Sequence, residues 1–115
     1  MVKLELHTHT DDDPADRITH STRQLVDRAA ALGYGAIAVT LHDRYFDPAP
    51  HADYARERGI VLLRGIEKNI GRHHVLLVNF PAACADVRSF DDIAALKRPY
   101  GGLVVAPHPF YTIPS

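Results

Sequence analysis

Residues 60–80, IVLLRGIEKNIGRHHVLLVNF, hold two apolar segments separated by a short polar one, and this stretch constrains the fold most tightly. The segments IVLLRGIE (60–67) and HVLLVNF (74–80) each have the length and the branched apolar content of a buried strand. A parallel connection between them would need a crossover of roughly a dozen residues or more, and KNIGRH is too short for one. The second strand is therefore predicted to return antiparallel to the first.

The rest of the chain alternates strand and helix patterns around this stretch. Ser21, with Gln24 three residues later, predicts the start of a helix, and Gly33 predicts its end. The predicted order is β-α-β-α-β-β-α-β, with the remaining strands at 2–6, 35–40 and 102–108 and helices at 21–33, 48–59 and 89–97. Such alternation predicts an α/β fold with a mostly parallel sheet or barrel. Five strands do not close a barrel, so the chain is expected to form an incomplete one.

The composition excludes several classes of protein. Lys and Arg number 13 against 14 Asp and Glu, so no basic excess points to nucleic acid and no acidic run points to a solvating tail. One cysteine, Cys84, rules out an internal disulfide framework and suits a reducing compartment. No segment approaches the roughly 18 consecutive apolar residues of a membrane span. These features predict a soluble cytoplasmic protein of one domain.

Eight histidines in 115 residues are an unusual number, and most of them follow or begin predicted strands. In a parallel α/β fold the carboxyl ends of the strands meet at one face, where functional sites are built. His7 and His9, two residues apart in an extended segment, point the same way and could reach one ion. Neutral imidazole suits zinc, iron and manganese, and a carboxylate can bridge two ions. We therefore expect the following strand-end residues to share a site: His7, His9, His42, Asp43, Glu67, His73, His74 and His108.

Each of these residues also has an ordinary structural explanation. A single His-x-His pair is usually coincidence. Glu67 could form a solvated ion pair with Arg64 or Arg72, and the aspartates at 11–13 could be ordinary loop residues. His20 and His51 lie in or beside helical stretches, so we expect them to be structural or exposed and away from the site. The recurrence of the strand-end placement at five positions favours the site over these separate explanations.

The ordered segments ELHTHT, AVTLHD, RGIE, RHHVLL and VVAPHPF resemble the PHP family, the polymerase and histidinol phosphatase domains. The resemblance runs from residue 5 to about residue 110. It implies a distorted (β/α)7 barrel, present here in part with five strands, that binds up to three zinc, manganese or iron ions and hydrolyses phosphoesters. It makes residues 1–115 a PHP-like phosphoesterase domain without the C-terminal part of its barrel. The metal ligands that it implies are His7, His9, Asp13, His42, Glu67, His74 and His108, with Glu67 and His108 also catalytic.

Some of these assignments have neighbours that could replace them. His74 is preferred to His73 because it directly precedes VLL, as the family's ligand does. The family has an Asp or His ligand at a position where this chain has Pro14 and Ala15. Asp13 is the nearest aspartate to that position and is taken as the ligand. Asp12 and Asp16 are the alternative ligands.

The chain also departs from the family at two other places. Leu41 replaces the aspartate that commonly precedes His42, and the family's last ligands, an Asp-x-His pair, have no counterpart.

The function that the resemblance implies is hydrolysis of a small phosphorylated metabolite or nucleotide. Arg44 or Arg72 could hold the substrate phosphate, although a solvent-exposed role is the more frequent one for such arginines. The neutral charge balance argues against a nucleic-acid substrate. The alternative is a truncated or inactive metal-binding module with a regulatory or interaction role. An incomplete barrel would leave strand edges unpaired, which predicts self-association.

Overall fold

The structure is a computed structural model that describes residues 2–107. Within that range the chain forms the strands β1 (Leu4–Thr8), β2 (Ala36–Val39), β3 (Val61–Leu63), β4 (Gly65–Ile70), β5 (His73–Val78) and β6 (Leu103–Val105). The α-helices are α1 (Thr22–Ala31), α2 (Ala52–Glu57) and α3 (Phe90–Tyr100), and two short 3-10 helices cover Ala49–His51 and Ala82–Asp86. The order of strands and α-helices follows the predicted one, except that the third predicted strand is divided into β3 and β4.

The first three strands form a parallel sheet in the order β1-β2-β3, which we call sheet A. Helices α1 and α2 cover its outer face, because both present apolar side chains to the same side of β2. The core between them contains the buried residues Val26, Ala29, Ile37, Ala55 and Ile60. This half of the molecule has the βαβ arrangement that the alternating sequence pattern predicts.

The last three strands form an antiparallel sheet in the order β4-β5-β6, which we call sheet B. The predicted hairpin is confirmed: β4 pairs antiparallel with β5 from Gly65 opposite Val78 to Ile70 opposite His73. Helix α3 packs on the outer face of sheet B, over a core that includes Ile66, Leu77, Phe80, Cys84 and Ile93. The inner faces of the two sheets meet through Leu6, Ala38, Leu63, Leu76, Val78 and Val105.

The strand predicted over residues 60–67 is wrong in two respects: it is two strands in different sheets, and the second continues past Glu67 to Ile70. β3 ends at Leu63 and β4 begins at Gly65, so the chain turns a corner within one residue. A Cβ at position 65 would lie 2.8 Å from the backbone oxygen of Val39 and 3.0 Å from Cγ2 of Thr40. Because glycine has no Cβ, β4 can approach the end of β2 this closely. The apolar pattern of residues 60–67 does not reveal such a contact with a distant segment.

Two helices begin where their caps predict. Ser21 accepts a hydrogen bond from the backbone N–H of Gln24, whose side chain accepts one from the Ser21 N–H, so the capping box is present. Gly33 follows the end of α1 with φ +81°, the left-handed conformation expected of a helix stop. Ser89 caps α3, which continues to Tyr100 and thus past the predicted end at residue 97. The helix predicted over 48–59 is shorter, because a 3-10 turn precedes α2.

The two sheets do not close into a barrel within residues 2–107. β1 forms one edge of sheet A and β6 one edge of sheet B. The predicted strand 102–108 corresponds to β6, and its last residue, His108, lies outside the described residues. The observed fold is thus a mixed α/β arrangement of a parallel and an antiparallel sheet. None of the helices in the described range has the length and apolar content needed to cross a membrane.

Candidate metal centre

A bulge in β1 brings the first two histidines to the inner side of the sheets. Glu5 pairs with Ile37 and Thr8 with Val39, so three steps along β1 match two steps along β2. An extra residue of this kind redirects the side chains beside it. Leu6 consequently packs in the inner core while His7, its neighbour, reaches Glu67 on sheet B.

Glu67 lies at the point where the two sheets meet. The segment after β2 forms an isolated parallel bridge between His42 and Glu67, with Asp43 N donating to Glu67 O at 2.8 Å and Glu67 N donating to Leu41 O at 2.9 Å. Glu67 pairs with Leu76 on β5, so its side chain shares the inner face with the core between the sheets. The residue is 2% exposed. The corner at Gly65 therefore places a buried carboxylate directly beside the loop that carries His42.

Four imidazole rings approach the Glu67 carboxylate. Oε1 lies 2.6 Å from Nε2 of His7 and 3.6 Å from Nε2 of His9. Oε2 lies 2.8 Å from Nε2 of His42 and 3.3 Å from Nδ1 of His74. Sheet A and its loops supply three of these rings, and β5 of sheet B supplies the fourth.

Asp13 is a second buried carboxylate on the opposite side of two of the rings. Its Oδ2 lies 2.6 Å from Nδ1 of His9 and 3.0 Å from Nδ1 of His42. These two imidazoles stack, with centroids 4.4 Å apart and planes 17° from parallel. His9 and His42 therefore lie side by side between Asp13 and Glu67. In each ring, Nδ1 faces Asp13 and Nε2 faces Glu67.

The surroundings of the two carboxylates favour their ionised forms. Burial opposes ionisation of Glu67, but hydrogen bonds from His7 and His9 and the charge of His42 hold its pKa well below the ordinary 4.5. Burial opposes ionisation of Asp13 too. Backbone N–H groups of Asp16, Ala15 and His42 outweigh it and hold the Asp13 pKa well below 3.8. The hydrogen bond to Glu67 raises the pKa of His9 above 6.5, with burial opposing and Asp13 adding to the rise.

The donor atoms fit a divalent cation. Two groups have their ligand atoms within 4.8 Å of one another: His7, His9 and Glu67 form the first, and His9, Asp13 and His42 the second. Oε2 of Glu67 is buried without a hydrogen bond of acceptable geometry, although His42 Nε2 is only 2.8 Å away. A buried anionic oxygen in that position is costly unless a cation or a directed donor satisfies it. Imidazole and carboxylate are ligands that zinc, iron and manganese accept.

The chain is similar to parts of larger proteins of known sequence or structure. No protein-family model matches the chain. The PolC-type DNA polymerase III of Streptococcus mutans serotype c is 34% identical over 77 residues, which are 66% of this chain and 5% of the polymerase. An amidohydrolase from Chromobacterium violaceum, solved with bound sulfate and no metal, superposes with a TM-score of 0.58. It is 29% identical, and the match covers 84% of this chain and 33% of the amidohydrolase. The chain thus shares the fold of one third of that protein.

The structure brings six of the seven predicted ligands together, and the seventh, His108, lies outside the described residues. Among the alternatives, His74 reaches Glu67, whereas His73 is exposed. Asp13 is buried at 8% exposure. Asp12 is exposed, and Asp16, with a side chain 57% exposed, comes only within 3.5 Å of His42.

The two arginines considered for phosphate binding lie on the surface. Arg44 donates from Nη1 to the backbone oxygen of Asp12 at 3.0 Å, so its guanidinium is close to the aspartate run. Arg72 is exposed in the turn between β4 and β5.

Two further residues lie beside the centre. His20 is exposed, as expected, and belongs to neither group of ligand atoms, but its Nε2 lies 2.7 Å from the backbone oxygen of His9. Lys68 follows Glu67 and is 9% exposed, with Nζ donating to Asp43 Oδ1 at 2.6 Å. Lys68 lay in the predicted connecting segment KNIGRH, so no pattern in the sequence marked it as buried.

Proposed function

We propose that this chain is a metal-dependent hydrolase module that cleaves a phosphoester bond in a small phosphorylated metabolite or nucleotide. The observation that supports it most strongly is the buried Glu67 carboxylate with imidazoles of His7, His9, His42 and His74 around it. A purely structural carboxylate would need one or two partners rather than four ionisable ones. Such a concentration of ionisable groups around one buried carboxylate is typical of a catalytic centre.

Under this proposal the residues of the centre have distinct tasks. His7, His9 and Glu67 would hold one divalent ion, and His9, Asp13 and His42 would offer donor atoms for a second. When bound, zinc, manganese or iron supplies Lewis-acid chemistry, withdrawing charge from a phosphoryl oxygen and making water a stronger acid. Without a second ion, Asp13 orients His9 and His42 through their Nδ1 atoms. His74 would close the site from sheet B, and His108 stays a predicted ligand and catalytic residue.

The relatives support the hydrolase proposal at different levels. Similarity to a PolC-type DNA polymerase III agrees with the PHP resemblance, since that family takes half its name from polymerases. The amidohydrolase holds sulfate, a tetrahedral oxyanion like phosphate. On these grounds we propose that the chain is part of a PHP domain and that its two sheets correspond to part of a distorted (β/α)7 barrel. The chain spans a small fraction of either relative, so the whole proteins' activities are not transferred to it.

Further features guide the choice of substrate and location. The net charge of −1 gives no basic surface for a long nucleic acid, which favours a small substrate. Arg44, held near Asp12, is the closer candidate for a phosphate contact. A single, buried cysteine, Cys84, agrees with a cytoplasmic location, which we also propose.

A second candidate function is metal binding without turnover, in a regulatory or interaction role. The sequence contains no Asp-x-His pair, which the resemblance implies for the last two ligands of a complete centre. An ion held by fewer ligands would bind more weakly and would position water poorly.

The test compares three variants made without a histidine tag. Glu67→Gln removes the negative charge of this ligand and should lower the metal content at least about tenfold after reloading. His51→Ala is the matched control, because His51 stacks on Phe46 away from the centre and should retain the metal. His20→Ala, which loses a contact to the His9 backbone, should lie between them.

Metal content is measured by elemental analysis, and turnover is measured on an aryl phosphate and on an aryl amide. Phosphate turnover that depends on Glu67 supports the phosphoesterase, amide turnover points to amide hydrolysis, and metal binding without turnover supports the second candidate. Less than about a tenth of an ion per wild-type chain would contradict both.

A further inference from the structure

Lys68 occupies a position where an apolar residue would be expected. It pairs with Val75 in the β4–β5 ladder, and its side chain projects to the outer face of sheet B, opposite to that of Glu67. Its neighbours on that face, Ile66, Val75 and Leu77, belong to the core under α3. Burying an ammonium group is costly unless it is paired. Lysine at this position therefore carries a desolvation cost that methionine would avoid.

The Lys68 ammonium joins three segments of the chain. Nζ donates to Oδ1 of Asp43 at 2.6 Å and to the backbone oxygen of Ala85 at 2.8 Å. Asp43 directly follows His42, and Ala85 lies in the 3-10 helix that precedes α3. The group lines a pocket of about 400 Å³ together with Asn69, Asp86, Val87 and Arg88. Lys68 therefore ties the loop bearing His42 to β4 and to the outer layer.

The geometry of Asp43 makes this tie relevant to the centre. Asp43 has φ +52°, a left-handed conformation that few residues other than glycine, asparagine and aspartate adopt. His42 and Glu67 form the isolated backbone bridge, and their side chains face the centre. Asp43 follows His42 and Lys68 follows Glu67, and these two side chains meet on the other side of that bridge. Movement of Asp43 would carry His42 with it. The backbone connects the Asp43–Lys68 pair to His42 and Glu67. The Asp43–Lys68 pair can therefore affect where the His42 side chain lies without itself touching substrate.

The geometry points to Lys68 and Asp43 as positioning residues that fix His42 against Glu67 from behind the centre. This inference rests on the proposed function, because it assigns a supporting role to residues behind the proposed ligands. Partners of metal ligands typically contribute about ten- to hundredfold to metal affinity. Lys68→Met should weaken binding by that factor while leaving every ligand in place.

The test uses Co²⁺ alone as the probe, because its visible spectrum reports the geometry of its ligands. The variants are Lys68→Met, Asp43→Gly and Asp43→Asn. Gly and Asn both accept a positive φ, but only Asn keeps an acceptor for Lys68. Arg58→Met, which removes an ion pair with Asp27 far from the centre, is the control. Titrations are run well below the melting temperature of the least stable metal-free variant.

We expect Lys68→Met and Asp43→Gly to bind Co²⁺ at least about tenfold more weakly with an altered spectrum. Asp43→Asn and Arg58→Met should resemble the wild type, and Asp43→Gly should add nothing in the Lys68→Met background. Should Lys68→Met not fold, the Asp43 variants decide alone. Wild-type affinity and spectrum in Lys68→Met, or losses that merely follow melting temperature, overturn the inference. Wild-type protein that takes up no Co²⁺ overturns the proposed function and the inference with it.

Discussion

Glu67 shows how one buried charge organises its neighbours. Two oxygens face four imidazoles, and each imidazole can either donate a proton to the carboxylate or offer a lone pair to a cation. A lone pair directed at a carboxylate repels it, and the two ring nitrogens of His9 face two different carboxylates, so without metal this ring favours the doubly protonated form. The raised pKa of His9 is the sign of this arrangement. Protons and cations consequently compete for the same nitrogen atoms.

This competition predicts opposite pH dependences for the metal-free and metal-loaded protein. The lowered pKa values of Glu67 and Asp13 contribute stability that is present above their ordinary values of 4.5 and 3.8 and is lost as the pH falls. The raised pKa of His9 contributes stability that is full below 6.5 and is lost as the pH rises through the raised value. The melting temperature without metal should therefore fall as the pH rises above 6.5. With metal it should rise, because neutral imidazole ligates.

Thermal melts in a series of buffers, with a chelator or with Mn²⁺, measure both curves. His9→Gln should flatten the decline of the metal-free protein above pH 6.5. Metal-free protein that becomes more stable over this range would show that His9 does not carry the proton.

Among the structural elements, the corner between β3 and β4 is the one on which the centre depends. β3 belongs to sheet A and β4 to sheet B, and the close approach at Gly65 lets the chain pass from one to the other beside the end of β2. Glu67 follows two residues later, so an error in this corner would displace it from His42.

Gly65→Ala should destabilise the protein by about 2 kcal/mol and reduce its metal affinity, because the new Cβ meets backbone that cannot move aside cheaply. Gly35→Ala is the matched control. There the nearest atom, at 3.1 Å, belongs to the exposed side chain of Val2, which can shift. Denaturant unfolding and metal titration of both variants provide the measurements. Equal effects of the two substitutions would mean that the corner tolerates a side chain.

The sequence predicts the elements better than their connections. Ser21, Gln24 and Gly33 determine α1 through local hydrogen bonds, and the short KNIGRH segment forces the hairpin, so both could be read directly. The corner at Gly65 depends on contact with Val39, which is distant in sequence.

The same distinction applies to the centre. The histidines could be grouped because strand ends converge, whereas the pairing of Lys68 with Asp43 depends on which face each side chain takes after the corner. Local chemistry was predictable, and packing between distant segments was not.

On the scale of the whole molecule, the edge strands β1 and β6 of the described range each carry an exposed leucine. Leu4 on β1 is 51% exposed, and Leu103 on β6 is 46% exposed. Unpaired edges with apolar side chains favour pairing with another strand. We predict that this chain self-associates as its concentration rises, and that Leu4→Lys with Leu103→Lys shifts it toward the monomer.

Analytical ultracentrifugation over a range of concentrations measures the association. Leu32→Lys is the control, since Leu32 is 49% exposed at the end of α1 and lies on neither edge. A chain that stays monomeric throughout, or a control that dissociates equally well, would contradict a role for the edges.

The backbone bonds between the loop after β2 and strand β4 also determine how the molecule moves. Asp43 N, Phe46 N and Glu67 N donate to Glu67 O, Gly65 O and Leu41 O, respectively, at 2.8 to 2.9 Å, and these bonds lie across the junction of the two sheets. Separation of the two sheets at this junction must break these three hydrogen bonds. The rate at which the three amide hydrogens exchange with solvent therefore reports how often the sheets separate. A cation shared between both sheets would slow the same event. A metal-filled centre would therefore also hold the two sheets together, and amide hydrogen exchange could follow its occupancy without any substrate.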